Sequence, residues 1–284
     1  MKYFHLYTRG LEDGLIFRDR EDYVIGMNYV AIAAFKIPVK IMAFVLMSNH
    51  FHFVLKARPK DAERFIRLYK QMISKYILSK YSESQFLRRV DTGCDEISII
   101  DDGLRRCVAY VLDNPVKAGL NCVPQGYEWG SGACYFSEID TLADTISVSE
   151  FSTRALRRIL RSDVRLDGRF RINRKGYIEP RSYIDVVSVE ELYGRPKSFE
   201  YFLSTSASSR KTKKDVIVFS DAFIREAIHE ILHNKYSIGS SEPVSDDVKM
   251  LIARDLRALM NAPSSQIARL LGLSLHKVMK ALEI

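Results

Sequence analysis

The chain has 284 residues, 47% of them hydrophobic and 27% charged, a globular composition that excludes a disordered or fibrous protein and suits two or three domains. Its 43 Lys and Arg against 35 Asp and Glu leave a formal charge of +8, a balance that favours an acidic partner, of which nucleic acid is the commonest. The four cysteines form no C-x-x-C pair, which excludes a zinc ribbon or dithiol redox site and suits reduced thiols in a cytoplasmic protein.

In chain order, "YFHLYTRG" alternates like a short strand. "DREDYVIGMNYVAIAAFK" reads as a helix entered through acidic residues that suit the positive end of its dipole. "MKYFHLYTRG" lacks the apolar stretch of a signal peptide, and the run from Met27 to Met47 is broken by Lys36, Pro38 and Lys40, so no membrane span is expected. "PVKIMAFVLM" and "HFHFVLKA" are two β-rich runs with a turn or bulge at "MSNH". "DAERFIRLYKQMISKYILSKY" is a long amphipathic helix, "CDEISIID" a short strand, and "DDGLRRCVAYVLDN" a helix expected to stop at Pro115, because the residue before proline disfavours helical geometry. These elements predict an α+β unit, an antiparallel sheet with helices packed on it, over residues 1–136. "TRALRRILRSDVRLDGRFRINRK" then sets nine Lys and Arg against two Asp, and "STSASSRKTKK" reads as a solvated linker, so residues 137–210 are expected to form a basic connecting region. Residues 211–284 read as all helix. "SSQIARLLGLSLHKVMKALEI" carries a serine cap, a glycine turn at Gly272 and a second cap at Ser274, the grammar of a helix-turn-helix.

Within "SNHFHF", His50 and His52 lie two apart, so both imidazoles leave one face of a strand, where two neutral rings suit a divalent metal ion. On the later helix Leu104, Cys107, Val108 and Val111 form the expected apolar stripe. Tyr110 and Asn114, at i and i+4, share one edge of it.

These segments resemble a known family. "LMSNHFHFVL" is similar to the "MPNHxHxL" segment of the one-tyrosine HUH transposases, and "YVLDNPVKAGL" followed by "GYEWGSGACYF" to that family's "YIxxNPVxAGL…YxWSSYxxY". "FHLYTRGLEDGLIFRDREDY" resembles its start. The branch most alike is the REP-associated tyrosine transposases. The resemblance covers about residues 3–136, with Ser48 in place of the usual proline and Gly130 in place of a serine.

The resemblance implies an HUH, ferredoxin-like fold and a DNA transposase that cleaves and rejoins single-stranded DNA near hairpins. Tyr110 would be the nucleophile, and His50, His52 and Asn114 the ligands of Mg²⁺ or Mn²⁺. The product would be a 5′-phosphotyrosine and a free 3′-hydroxyl. Tyr7, Tyr69, Tyr76 and Tyr127 are the competing tyrosines. Phosphate contacts are expected from Arg64, Arg67 and Lys70 on the long helix and from Arg154, Arg157, Arg158 and Arg161 in the arginine-rich segment. Lys277 and Lys280 on the last helix are expected to meet a duplex or hairpin stem. The partners expected are therefore single-stranded and hairpin DNA, duplex DNA through the C-terminal helices and, as an alternative to a monomer, a second copy of the chain. The competing function is a domesticated repeat-binding protein with cleavage weak or lost. A rival motif, "HEILH" at His229–His233, matches the zinc-peptidase signature. The stripe Ile224, Ala227, Ile228 and Ile231 puts both of its histidines on the exposed face of the helix, so a chance match is expected.

Overall fold

The computed structural model describes residues 1–9, 15–82, 91–121, 123–206, 221–238, 243–260 and 262–282. Its centre is a four-stranded antiparallel sheet, β1 (Lys2–Arg9), β2 (Lys40–Leu46), β3 (Phe51–Ala57) and β4 (Asp91–Glu96), in the order β2-β3-β1-β4. Between β1 and β2 runs α1 (Arg20–Lys36), and between β3 and β4 runs α2 (Pro59–Tyr81), so the chain order is β-α-β-β-α-β. Helix α3 (Gly103–Lys117) follows.

Alternation along β3 divides the two faces. Phe51 and Phe53 point to one side, where Phe53 meets Phe65 and Tyr69 of α2 at 5.2 and 5.0 Å between ring centroids. α1 lies in that layer too, since a Cβ on Gly26 would meet Phe17 at 2.6 Å and Leu46 at 3.1 Å. His52 and Val54 point the other way, toward α3. The two outer helices are locked end to end. Asp19 caps α1 in a capping box with Asp22, and the buried Asp22 carboxylate accepts from Lys80, Tyr76 and Tyr81 at the end of α2 at 2.8 to 2.9 Å.

The outer edge of β2 is covered by later chain. Leu46 N donates to Trp129 O, Ser131 N to Phe44 O and Asp185 N to Ile41 O. Gly130 fits there because a Cβ would stand only 3.0 Å from Phe44 O.

Residues 137–206 correct the expectation of a connecting region. They form β5 (Thr145–Ser147), α4 (Thr153–Leu160), β6 (Arg171–Asn173), α5 (Val186–Tyr193) and α6 (Pro196–Ser206). Leu160, Phe170, Ile178, Val189, Phe199 and Leu203 belong to the same core as Phe4 and Phe53. The core therefore crosses residue 136, because apolar residues interleaved with the arginines bury while the arginines face out. The expected linker begins inside α6, and its remainder, from 207, lies outside the described residues, as does the start of the expected 211–284 unit up to 220.

From residue 221 the chain is helical: α7 (Asp221–Tyr236), α8 (Asp246–Met260), α9 (Ser264–Leu271) and α10 (Leu275–Ala281). They share a second core of Ile224, Ile252, Leu256, Ile267 and Val278. Gly272 ends α9 at φ +64°, and Ser274 caps α10 by accepting from Lys277 N. The residue before α9 is Pro263, not the expected serine cap. Among the described residues, no helix is long and apolar enough to cross a membrane.

Candidate active site

β1 lies between β3 and β4, and its register brings distant residues together. Tyr7 stands opposite His52 on one side and Gly93 on the other. His5, two residues earlier, shares that face. Its Nε2 lies 3.1 Å from His52 Nδ1, with the two ring planes within 15° of parallel. His50 immediately precedes β3, and its ring meets that of His52 at 5.1 Å and 83°. His50 Nδ1 donates to Asn49 Oδ1 at 2.8 Å. From above the sheet, α3 brings Tyr110 to 5.8 Å from His52 and 5.9 Å from His5, nearly perpendicular to both. One half-buried tyrosine, two buried histidines and a third histidine thus converge from α3, β3 and β1.

His52 is 2% exposed, and its Nε2 is buried with no hydrogen-bond partner among the described residues. Burial, then the neighbouring His50 and His5, hold its imidazole well below the ordinary histidine range, so the ring is neutral. A buried polar atom without a partner is costly unless something else satisfies it. A divalent ion on a neutral imidazole nitrogen would do so, and neutral imidazole nitrogens and an amide oxygen are donors whose chemistry suits such an ion. Among the described residues, no group of three or more His, Cys, Asp or Glu is arranged to hold a metal.

Asn114 is buried one turn beyond Tyr110. The expectation that Pro115 stops the helix is corrected: α3 continues to Lys117. Proline cannot donate to the carbonyl four residues back, that of Val111. Asn114 Nδ2 reaches Val111 O at 3.5 Å and Tyr110 O at 2.8 Å, so a side chain helps serve the carbonyl that the ring leaves open. This engages the amide nitrogen with the helix and leaves Oδ1 as the atom with ligating chemistry. Asn114 makes no hydrogen bond to either histidine among the described residues.

Lys117 is the cation beside the tyrosine. Its Nζ sits 4.8 Å from the Tyr110 ring centroid, 3.1 Å from Ser206 Oγ and 3.5 Å from Asp113. Burial raises the Asp113 carboxyl above its ordinary range, against the pull of Lys117.

Of the competing tyrosines, Tyr69 is fully buried in the opposite layer, Tyr127 donates to Leu46 O, and Tyr76 donates to Asp22. Tyr7 alone shares the histidine face, 6.0 Å from His52. Its hydroxyl donates to Asp95 at 2.7 Å.

The expected phosphate contacts are not brought to Tyr110. Arg64, Arg67 and Lys70 lie on α2, in the layer across the sheet. The α4 segment carrying Arg154, Arg157, Arg158 and Arg161 packs on α1 in that same layer, through Asn28 Nδ2 to Ile159 O and Tyr29 OH to Arg161 O. Arg64 faces Asp61, Arg157 faces Asp163, and Arg161 faces Glu21. On the C-terminal helices Lys277 pairs with Asp246, while Lys280 is exposed. His229 and His233 are exposed on α7.

His5 and Lys117 are the site residues that sequence reasoning missed. His5 and Tyr7 at i and i+2 in an alternating run carried a faint signal, the same one that marked His50 and His52.

No known family profile matches the chain, and no curated protein matches it. Among solved structures it is similar to a REP-associated tyrosine transposase bound to a REP hairpin, at 17% identity and a TM-score of 0.36, over 46% of this chain and 78% of that one.

Proposed function

We propose that the chain is a nuclease-ligase of the HUH type, acting on single-stranded DNA near hairpins with Tyr110 as nucleophile. The β-α-β-β-α-β order with strands β2-β3-β1-β4 supports a ferredoxin-like domain. The observation that carries the reading is the meeting of the Tyr110 and His52 rings at 5.8 Å, above an imidazole whose Nε2 is buried and has no hydrogen-bond partner among the described residues.

The chemistry follows from these residues. The Tyr110 phenol attacks a phosphodiester and gives up its proton; the O–P bond to the 3′ oxygen breaks, that oxygen takes up a proton to leave as the 3′-hydroxyl, and the 5′ phosphate stays on the tyrosine. The bond exchanged is one phosphoester for another, so the free 3′-hydroxyl can reverse the step without a nucleotide cofactor. Phenols ordinarily titrate near 10, so the reaction needs help in forming phenolate. The Lys117 ammonium lies beside the ring. His50, His52 and Asn114 would hold a Mg²⁺ or Mn²⁺, which when bound supplies charge to stabilise the phosphate in the transition state. Being neutral, these ligands leave the ion its full charge. The α2 and α4 arginines lie across the sheet from Tyr110, so their role here is to hold flanking DNA.

The α9–Gly272–α10 unit supports a helix-turn-helix that holds a hairpin stem or duplex, with Lys277 and Lys280 exposed on α10. A protein that only binds repeats is the competing reading, and one experiment separates the two. End-labelled single-stranded hairpin oligonucleotides are incubated with the protein and Mn²⁺, then run on a denaturing gel. A slowly migrating covalent species, removed by protease, supports the nuclease reading. Binding by native gel with no covalent species under any divalent ion would overturn it.

A further inference from the structure

We infer that His5 is a positioning residue for this site: it accepts the Nδ1–H of His52 and so fixes His52 in the tautomer whose Nε2 carries a lone pair. The inference rests on the metal-site reading above.

The His5–His52 contact admits two proton arrangements. In one, His5 Nε2–H donates to His52 Nδ1, and the proton of His52 must sit on Nε2. That would bury an N–H donor with nothing to receive it, since Nε2 has no partner among the described residues. In the other, His52 Nδ1–H donates to His5 Nε2, the proton of His5 sits on its Nδ1, and His52 Nε2 presents a lone pair. The second arrangement avoids the orphaned donor and is the only one that can ligate a cation. His5 is less buried than His52, so its own Nδ1–H lies at the wetter end of the pair.

The neighbouring histidine follows the same rule by a different group. His50 Nδ1 faces the Asn49 amide oxygen at 2.8 Å, which can only accept, so His50 also carries its proton on Nδ1. Histidines that bind metals commonly donate their other ring N–H to such an orienting acceptor. Here one is oriented by an amide and the other by an imidazole.

His5 is itself held in place. Its ring stacks on Tyr7 at 4.8 Å and 29°, and Tyr7 is tied to Asp95 through its hydroxyl. The Tyr7 ring lies over Gly93, where a Cβ would stand 2.4 Å from a ring carbon. A run of contacts from β4 through β1 to β3 therefore sets the angle of His52.

The test reads the tautomer directly. Long-range ¹H–¹⁵N spectra of the labelled full chain without metal should show His52 protonated on Nδ1. In His5→Phe the Nε2–H form of His52 should appear, and Mn²⁺ affinity, followed by the EPR signal of free Mn²⁺, should fall about tenfold to a hundredfold. His5→Gln, whose Oε1 can accept, should recover most of that loss, which a purely space-filling role for His5 does not predict. His52 protonated on Nε2 in the unaltered protein would overturn the inference, and that spectrum decides even where a variant fails to fold. So would His5→Phe binding Mn²⁺ within twofold of the unaltered protein. Absence of a covalent DNA species would overturn the nuclease reading and leave this tautomer result standing.

Discussion

The rings of Tyr110 and His52 meet nearly at right angles, 5.8 Å between centroids, although one belongs to α3 and the other to β3. In the proposed nuclease reading the Tyr110 hydroxyl is the oxygen that reacts. Tyr110→Phe keeps the ring and its contacts with His5, His52 and Lys117, so thermal stability should move by less than about 1 kcal/mol. Covalent adduct should fall by at least about a thousandfold, because no other group replaces a missing nucleophile. Tyr7 is the residue to watch, since it shares the histidine face. Mass spectrometry of the protease-treated adduct should find the nucleotide on Tyr110, and a nucleotide on Tyr7 would reassign the nucleophile.

Asn114 has a structural task separable from any ligand role. Its Nδ2 helps serve the Val111 carbonyl that Pro115 cannot reach. Asn114→Ala should therefore cost about 1 kcal/mol in urea unfolding. In a Pro115→Ala background the restored N–H can take up that carbonyl, so the same Asn114→Ala change should cost clearly less. A double-mutant cycle measures the coupling, and additive costs would show that the amide does not compensate for the proline. Adduct formation should drop less in Asn114→Ala than in His52→Ala in both backgrounds, because two imidazoles and the phosphate can still hold an ion.

What could be read from sequence was whatever has a local period. The alternation in "HFHFVLKA" put His50 and His52 together, and the i, i+4 spacing put Tyr110 and Asn114 on one turn. His5 escaped because its partner is 47 residues away and is found only through the β1–β3 register. The stop expected at Pro115 used a backbone rule that is correct for backbone alone, and a neighbouring side chain altered its outcome. Residues 137–206 were misread because charge dominated the count, whereas Phe170, Ile178 and Phe199, each 1% exposed or less, decide where the segment goes. The arginines were legible as basic but not as to side: only the packing of α4 on α1 places them across the sheet from Tyr110.

Acid should loosen the C-terminal helices through Asp221. This carboxylate opens α7 and accepts from Arg269 and Gln266 of α9. Burial opposes its charge, but the Arg269 and Gln266 hydrogen bonds outweigh burial and hold its pKa below the ordinary aspartate value. A depressed folded-state pKa contributes stability above the unfolded value, near 3.9, and that contribution is lost as pH falls through the folded value. The urea midpoint of the C-terminal transition should therefore drop between pH 5 and pH 2.5. Asp221→Asn should flatten that part of the profile and lower stability at neutral pH by about 1 to 3 kcal/mol, since Arg269 loses its anion. An unchanged slope in the variant would assign the acid sensitivity to other carboxylates.

The arginines of α4 should separate by what already faces them. Arg157 and Arg161 are paired with Asp163 and Glu21, whereas Arg154 and Arg158 are exposed and have no ion pair among the described residues. A single-stranded partner releases about 0.7 counterion per phosphate neutralised. If flanking DNA crosses α4, Arg154→Ala and Arg158→Ala should each reduce the slope of log affinity against log salt by about 0.7. Arg157→Ala and Arg161→Ala should change it less, because each guanidinium is already paired with a carboxylate and so neutralises less of the phosphate charge. Fluorescence anisotropy with a labelled single-stranded hairpin, titrated from low to high salt, gives the four slopes. Because α4 lies in the layer across the sheet from Tyr110, the rate of adduct formation at saturating DNA should stay within about twofold in all four variants. An altered slope with an unaltered saturating rate is the signature of a remote phosphate contact. Slopes that do not move in Arg154→Ala and Arg158→Ala would mean that the DNA leaves the site on the α3 side, where Lys117 lies 4.8 Å from the tyrosine ring centroid.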